Sequence, residues 1–121
     1  MAVLIKEPSI ITASGNKPKQ IQEFVGRVNS STSETSIARM ISPQGWIEPG
    51  QTPDFNEYTL VLKGTLKVET RDEILLIGEG QAVIVPRGEW VQYSTPHEGG
   101  AEYIAVCLPA FSIDTVHRDS K

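Results

Sequence analysis

The feature that most constrains the fold lies in residues 45–95, where two β-rich segments are punctuated by glycine and proline at fixed intervals. In the first segment the key positions are separated by five, one, three and six residues, and they are Gly45, Gln51, Pro53, Glu57 and Gly64. Glycine accepts the positive backbone φ angles of tight turns, and proline cannot donate to a sheet ladder, so both mark the ends of strands. This region therefore predicts short strands joined by tight turns.

The second segment has the same character. Its key positions are separated by five, one, two and three residues, and they are Gly80, Pro86, Gly88, Val91 and Thr95. Runs rich in β-branched and aromatic residues, typical of strands, cover residues 36–41, 46–48, 57–63, 65–70, 74–77, 81–85, 90–94 and 103–108. We expect an all-β protein, an antiparallel jelly-roll (double-stranded β-helix) barrel, with a hairpin turn at Gly64.

The flanking regions predict an arm and a tail around this barrel. Residues 1–30 form an N-terminal arm and lead-in strand, 31–111 the barrel and 112–121 a short C-terminal tail, all within a single domain. In the arm we expect a short strand around Ala2–Ile5, and residues 21–28 are compatible with a strand or a short helix. In the tail, Asp114 is positioned to cap one helical turn.

Composition narrows the partners and the compartment. The 121 residues carry a net charge of −4 and no basic run, which argues against nucleic acid and anionic membranes. A small neutral or polar ligand fits this balance better. One cysteine, Cys107, cannot form an intrachain disulfide, and no signal peptide or long apolar stretch is evident, so we expect a cytoplasmic protein.

The two glycine-punctuated segments resemble the two conserved motifs of the cupin superfamily, with no residue inserted or lost. The resemblance implies a small single-domain cupin, but Gln51, Pro53 and Val91 stand where the family has three metal-binding histidines. Glu57 alone keeps the family's residue. Stretches 57–66, 86–90 and 101–111 are similar to the ethanolamine-utilisation cupins, which also lack the histidines and keep this glutamate. In small cupins the N-terminal arm commonly pairs with the sheet of the partner subunit, so the resemblance also implies a homodimer.

A typical cupin holds a divalent iron, manganese, nickel or zinc ion through three imidazoles and one carboxylate. Proline and valine have no side-chain donor, and an amide is a poor substitute for imidazole. We therefore expect no metal cofactor. The alternative is a site rebuilt from Gln51, Asp54, Glu57 and His117, which would make the protein a metalloenzyme with unusual ligands, an isomerase, dioxygenase or lyase.

Strand alternation places Glu57, Thr59 and Val61 on the inner face of the barrel, and Val91 and Tyr93 likewise. A buried carboxyl group without a metal has a raised pKa, so Glu57 is a candidate acid or base, or a simple hydrogen-bond acceptor. We expect a small polar or carboxylate-bearing ligand to contact Gln51, Glu57, Tyr93 and Trp46, although core or interface packing is the more common role for an aromatic residue such as Trp46. A third possibility is a structural or regulatory dimer whose barrel is filled by side chains.

Overall fold

A computed structural model describes residues 1–120 of the chain, in which ten strands form two antiparallel sheets and a short helix follows them. The strands are β1 (Ser9–Ile11), β2 (Gln20–Val25), β3 (Ser36–Ser42), β4 (Trp46–Ile47), β5 (Asn56–Gly64), β6 (Leu66–Thr70), β7 (Ile74–Ile77), β8 (Ala82–Val85), β9 (Val91–Thr95) and β10 (Ala101–Leu108). The helix is α1 (Ile113–Val116). The expected all-β antiparallel jelly roll is confirmed.

The two sheets face each other across the core. One sheet has the order β1-β2-β3-β10-β5-β8 and the other β4-β9-β6-β7. The main apolar cluster lies between them, with Trp46 from β4, Val61 from β5, Leu66 and Val68 from β6, and Tyr103 from β10. Burial of this cluster supplies most of the apolar stabilisation of the barrel.

Strand alternation is as the sequence predicts on both motif strands. On β5, Thr59 and Val61 are buried, while Tyr58, Leu60 and Leu62 are exposed. On β9, Val91 and Tyr93 are buried. The motif positions therefore face the interior of the barrel.

The prediction of a hairpin at Gly64 is wrong, because β5 and β6 do not pair with each other. β5 pairs with β10 and β8, whereas β6 pairs with β7 and β9, so the chain crosses from one sheet to the other at this glycine. Gly64 has a φ of 76°, and a Cβ there would collide with the carbonyl oxygen of Gly100. The close approach of two backbones makes a corner here.

The arm also differs from expectation. No strand forms at Ala2–Ile5; the first strand is β1, which pairs with β2 so that Ser9 lies opposite Glu23. The ambiguous segment 21–28 is a strand, β2, and it ends before Gly26. Because β2 pairs with β3, the arm extends the larger sheet of its own chain.

The tail folds back against the barrel. The N-cap of α1 is Ser112, whose hydroxyl accepts a hydrogen bond from the Asp114 amide, so the expected cap at Asp114 is wrong by two residues. Val116 packs with Phe55 and Cys107 in a second, smaller apolar cluster, against which Phe111 also lies. No helix among residues 1–120 is long and apolar enough to cross a lipid bilayer.

Candidate functional site

A cavity of about 70 Å³ lies inside the barrel, between the main apolar cluster and the small one under the tail. A single water needs only ~10–15 Å³ of such space, so the cavity has room for several waters or one small molecule. Its apolar wall includes Met40, Phe55, Ala105 and Phe111. Its main polar and charged side chains are Lys19, Glu23, Glu48, Gln51, Glu57, Tyr93, Tyr103 and Arg118.

The two sequence motifs meet at this cavity. Gln51 and Val91 lie opposite each other in a backbone bridge, with both amide-to-carbonyl distances at 2.9 Å. The predicted ligand contacts Gln51, Glu57 and Tyr93 all line the same hollow. The structure thus brings together Gln51 and Glu57 of the first motif and Tyr93, which strand alternation assigned to the inner face.

Glu57 and Tyr93 form a hydrogen-bonded pair on the cavity wall. The Tyr93 hydroxyl donates to Glu57 Oε1 over 2.9 Å, from β9 to the start of β5. Burial raises the pKa of the Glu57 carboxyl, although the Tyr93 hydrogen bond and the Lys19 charge lower it in part. Burial and the nearby Glu57 charge raise the pKa of Tyr93 as well. The Tyr93 hydroxyl therefore stays protonated and remains a hydrogen-bond donor. The Glu57 carboxyl group binds a proton more readily than an exposed glutamate does.

Glu48 is a second cavity carboxyl that the sequence analysis missed. It follows β4, is 9% exposed, and has its backbone held by the Tyr93 carbonyl and the Gln92 side chain. Burial raises its pKa to about 7, against the lowering effect of Lys19; Glu57 raises it further and Arg118 lowers it. Glu48 is thus poised to exchange a proton near neutral pH.

Lys19 brings a positive charge into the cavity from just before β2. Its Nζ lies 3.9 Å from the centroid of the Trp46 ring and 5.3 Å from that of Tyr103. Burial lowers the pKa of this ammonium group, but Tyr103 and Glu48 oppose that effect, and the net change is upward. Lys19 therefore stays charged, held over two aromatic faces.

Arg118 brings the second positive charge, from the tail. Residue 118 forms a backbone bridge with Gln51, and its guanidinium lies 5.9 Å from the centroid of the Phe111 ring. Its Nε is buried and has no hydrogen-bond partner among residues 1–120. A buried donor without a partner destabilises the folded state by about 1–3 kcal/mol, and an acceptor bound in the cavity would remove that cost.

The donor set does not fit a cupin-type metal centre. The motif positions supply one carboxylate from Glu57 and one amide from Gln51, while Pro53 and Val91 have no donor atoms. Within residues 1–120, no group of three His, Cys, Asp or Glu side chains is placed to hold a metal ion. A transition metal prefers imidazole and thiolate donors, which this cavity wall lacks apart from the buried thiol of Cys107.

The four residues of the alternative metal site are divided between two places. Gln51 and Glu57 line the cavity, whereas His117 Nε2 lies 2.6 Å from Asp54 Oδ2 in a pair that is about half exposed on the surface, with side chains 52% and 62% accessible. The His117–Asp54 pair ties the tail to the loop before β5. It contributes little to a site inside the barrel.

Trp46 occupies the core. Its ring is fully buried in the main cluster, and its Nε1 donates to the Ser14 carbonyl. The face of the ring supports Lys19 rather than the cavity itself. The predicted contact between Trp46 and a ligand would therefore be indirect, through the ammonium group.

Three of the missed residues share one weak sequence signal. Lys19 and Glu23 have the same strand parity as Ile21 and face the cavity with it, and Glu48 has the same parity as the buried Trp46. Charged residues at the inward-facing positions of a strand are unusual, because charged side chains are rarely buried unless they are paired. Arg118 carried no such signal, because only the return of the tail brings it to the cavity.

Residues 47–121 match the AraC-like ligand binding domain family. The Endoribonuclease YbeY of Myxococcus xanthus (strain DK1622) is 40% identical over 102 residues, which are 84% of this chain but only 35% of that protein's length.

Two solved structures illustrate the shared fold. Oxalate decarboxylase from Bacillus subtilis at pH 4.6 superposes with a TM-score of 0.77 at 21% identity, covering 94% of this chain and 30% of that one. The EutQ protein of Clostridium difficile superposes with a TM-score of 0.65 at 19% identity, covering 84% of this chain and 73% of that one. At these identities the likeness establishes the architecture.

Proposed function

The chain belongs to the AraC-like ligand binding domain family of the cupin superfamily, and from this premise we propose that it binds a small polar or carboxylate-bearing molecule in the cavity beside Glu57. The matched region, residues 47–121, includes most of the polar cavity wall. The resemblance to cupins, the ethanolamine-utilisation cupins among them, is confirmed.

The observation that carries the proposal is the convergence of polar groups on one hollow. Glu48 and Gln51 come from the segment after β4, Glu57 from β5, Tyr93 from β9 and Arg118 from the tail. A concave, largely apolar pocket with a few convergent polar groups is the usual form of a small-molecule site. The cavity also counts against the alternative of a barrel filled by side chains.

We propose further that binding needs no transition metal, because the wall offers too few suitable donors. Glu57 would then serve as a proton donor or acceptor to the ligand, steadied by the Tyr93 hydroxyl. Elemental analysis of protein purified without a histidine tag tests this point. Near-stoichiometric iron, manganese, nickel or zinc would overturn it.

The ribonuclease name of the Myxococcus protein describes a chain of which this one matches 35%. The net charge of −4 and the small cavity inside the barrel suit a small molecule better than RNA. We propose ligand binding, not RNA cleavage, as the role of this domain.

A cavity-filling substitution tests the site. Ala105 is 3% exposed and lines the cavity, so Ala105→Leu places three extra carbons in the hollow. We expect a panel of short carboxylates, polyols and amides to give saturable amide NMR shifts at Gln51, Glu57 and Tyr93 in the wild type. The variant should weaken any such binding by at least about tenfold.

The matched control is Ala82→Leu, because Ala82 is an exposed residue on β8 outside the cavity. It should bind as the wild type does. The proposal fails if no compound class gives saturable shifts, or if Ala105→Leu binds as tightly as Ala82→Leu.

A further inference from the structure

Two cavity cations have no carboxylate partner at ion-pair distance. Among residues 1–120 the ion pairs within 4.0 Å are Arg39–Glu102 and His117–Asp54, so neither Lys19 nor Arg118 takes part in one. Two of the cavity carboxyl groups are engaged elsewhere: Glu57 accepts from Tyr93, and Glu23 accepts from the backbone amides of Val28 and Asn29. The third, Glu48, interacts with the charges of both cations but forms an ion pair with neither.

The geometry points to a short-chain carboxylate as the ligand, held by Arg118 and Lys19 and bound together with one proton shared by Glu48 and Glu57. This inference rests on the proposed function and narrows it to one charge class. It also adds three residues, Lys19, Glu48 and Arg118, that the motif positions do not include.

Arg118 supplies the most specific part of the argument. A guanidinium presents its N–H groups in a planar fork that matches a carboxylate, and its buried Nε has no acceptor among the described residues. The ring of Phe111 lies 5.9 Å away and limits the directions from which an acceptor can approach. A carboxylate oxygen in the cavity would satisfy this donor.

Lys19 supplies a second point of attachment. Its ammonium group is fixed over Trp46 and beside Tyr103, so little side-chain entropy remains to be lost on binding. The apolar wall of Met40, Phe55 and Ala105 leaves space for a short aliphatic group. A cavity of about 70 Å³ limits that group to a few carbons.

Uptake of one proton by Glu48 and Glu57 follows from the negative charge that a bound carboxylate adds to the cavity. A bound carboxylate would be a further acidic group beside Glu48 and Glu57, and like charges in a buried site favour protonation. Burial already raises the pKa of Glu48 to about 7. The titratable and charged groups that face this pair around the cavity are Lys19, Glu23, Tyr93, Tyr103, Cys107 and Arg118.

Three probes of one size and different charge test the inference: propanoate, propanamide and propylamine. By calorimetry on the wild type, we expect propanoate to bind at least about tenfold more tightly than the other two. In buffers of different ionisation enthalpy at about pH 8, propanoate binding should take up between about 0.5 and 1 proton. Affinity should fall as the pH rises above 7.

These outcomes separate the two levels of the proposal. If propanamide or propylamine binds in the cavity as well as propanoate, the proposed function stands and the carboxylate inference is overturned. Proton release, or no exchange, overturns the role of the Glu48–Glu57 pair. If none of the three binds while another class in the panel does, the carboxylate inference is again overturned.

Substitutions assign the attachment points. Arg118→Met and Lys19→Met keep an unbranched side chain but remove the charge, and each should weaken propanoate binding by at least about tenfold, while Arg118→Lys recovers part of it. Arg87→Met and Lys63→Met remove exposed charges outside the cavity and should leave affinity unchanged. Glu48→Gln should remove most of the proton uptake. Full affinity in both cation variants would refute the assignment, and the wild-type measurements stand if a variant fails to fold.

Discussion

Glu48 shows how one buried side chain couples the stability of this protein to its site. The carboxyl lies among Lys19, Glu57 and Arg118, and burial raises its pKa from 4.5 to about 7. The folded state therefore binds this proton more tightly than the unfolded state does. Its stabilising contribution is full below about pH 4.5 and is lost as the pH rises through about 7.

Replacing Glu48 by glutamine should reduce the loss of stability that accompanies a rise in pH. A pKa difference of this size corresponds to about 3 kcal/mol, so the wild type should lose a few kcal/mol of unfolding free energy between about pH 5 and about pH 8. Glu48→Gln has no charge to bury and should lose less. Urea unfolding at the two pH values measures both, with Glu79→Gln, an exposed site, as the control. An equal loss in Glu48→Gln and the control would contradict this role.

At the level of single residues, the sequence predicted some of the cavity side chains and missed others. Motif spacing is rigid because each position sits on a strand or a tight turn, so Gln51, Glu57 and Tyr93 could be placed together from the sequence. Lys19, Glu48 and Arg118 lie outside the motif positions. They reach the cavity through pairings between distant segments, such as the bridge between residues 51 and 118, which no local pattern encodes.

Among the elements, the tail has the closest relation to the cavity. The amides of Thr52 and Asp54 donate to the carbonyls of His117 and Thr115, and the Asp119 amide donates to the Gly50 carbonyl. These bonds hold Arg118 at the cavity wall. The anchor beneath them is Val116, which is 2% exposed.

Truncating that anchor should loosen the tail. Val116→Ala removes two buried methyl groups and should cost the tail roughly 2 kcal/mol. We expect faster hydrogen exchange at the amides of Thr52, Asp54 and Asp119, with little change in β3 and β10. Ile113→Ala lies on the same helix but at a 76% exposed position, so it should have little effect. Equal acceleration in β10 would instead mean that the tail unfolds only with the whole barrel.

The elements also show where strand patterns mislead. A strand, a glycine and another strand predict a hairpin at Gly64, and the same pattern occurs where a jelly-roll strand turns from one sheet to the other. The difference lies in the contact between Gly64 and the Gly100 carbonyl, which joins residues far apart in the sequence. Local periodicity predicted the strands, but it could not predict which strands pair.

For the whole molecule, the unexplained feature is an apolar outer face. Tyr58, Leu60 and Leu62 on β5 are 40%, 44% and 39% exposed, and Ile84, opposite Tyr58 on β8, is 64% exposed. On the other side of β5, Ile104 and Val106 of β10 lie opposite Leu60 and Tyr58. We propose that a second copy of the chain covers this face, since an apolar patch without central charges is complementary to itself.

The size of the face bears on this dimer. Strands β5, β8 and β10 have 9, 4 and 8 residues and together cover roughly 340 Å², less than half of the ~800 Å² that each partner buries in a stable complex. The arm offers more apolar surface, because Val3 and Leu4 are largely exposed. Both the sheet face and residues 1–8, which precede β1, are therefore needed for a stable dimer.

Leu60→Lys tests the dimer directly. In an isologous contact the substitution brings two new positive charges close together at the centre of the interface, and burying them costs several kcal/mol. We expect light scattering after size exclusion to show a dimer for the wild type and a monomer for Leu60→Lys. Ile74→Lys, at a 58% exposed position on the other sheet, should stay dimeric. A monomeric wild type would refute the proposal, and dissociation by Ile74→Lys alone would move the interface to the smaller sheet.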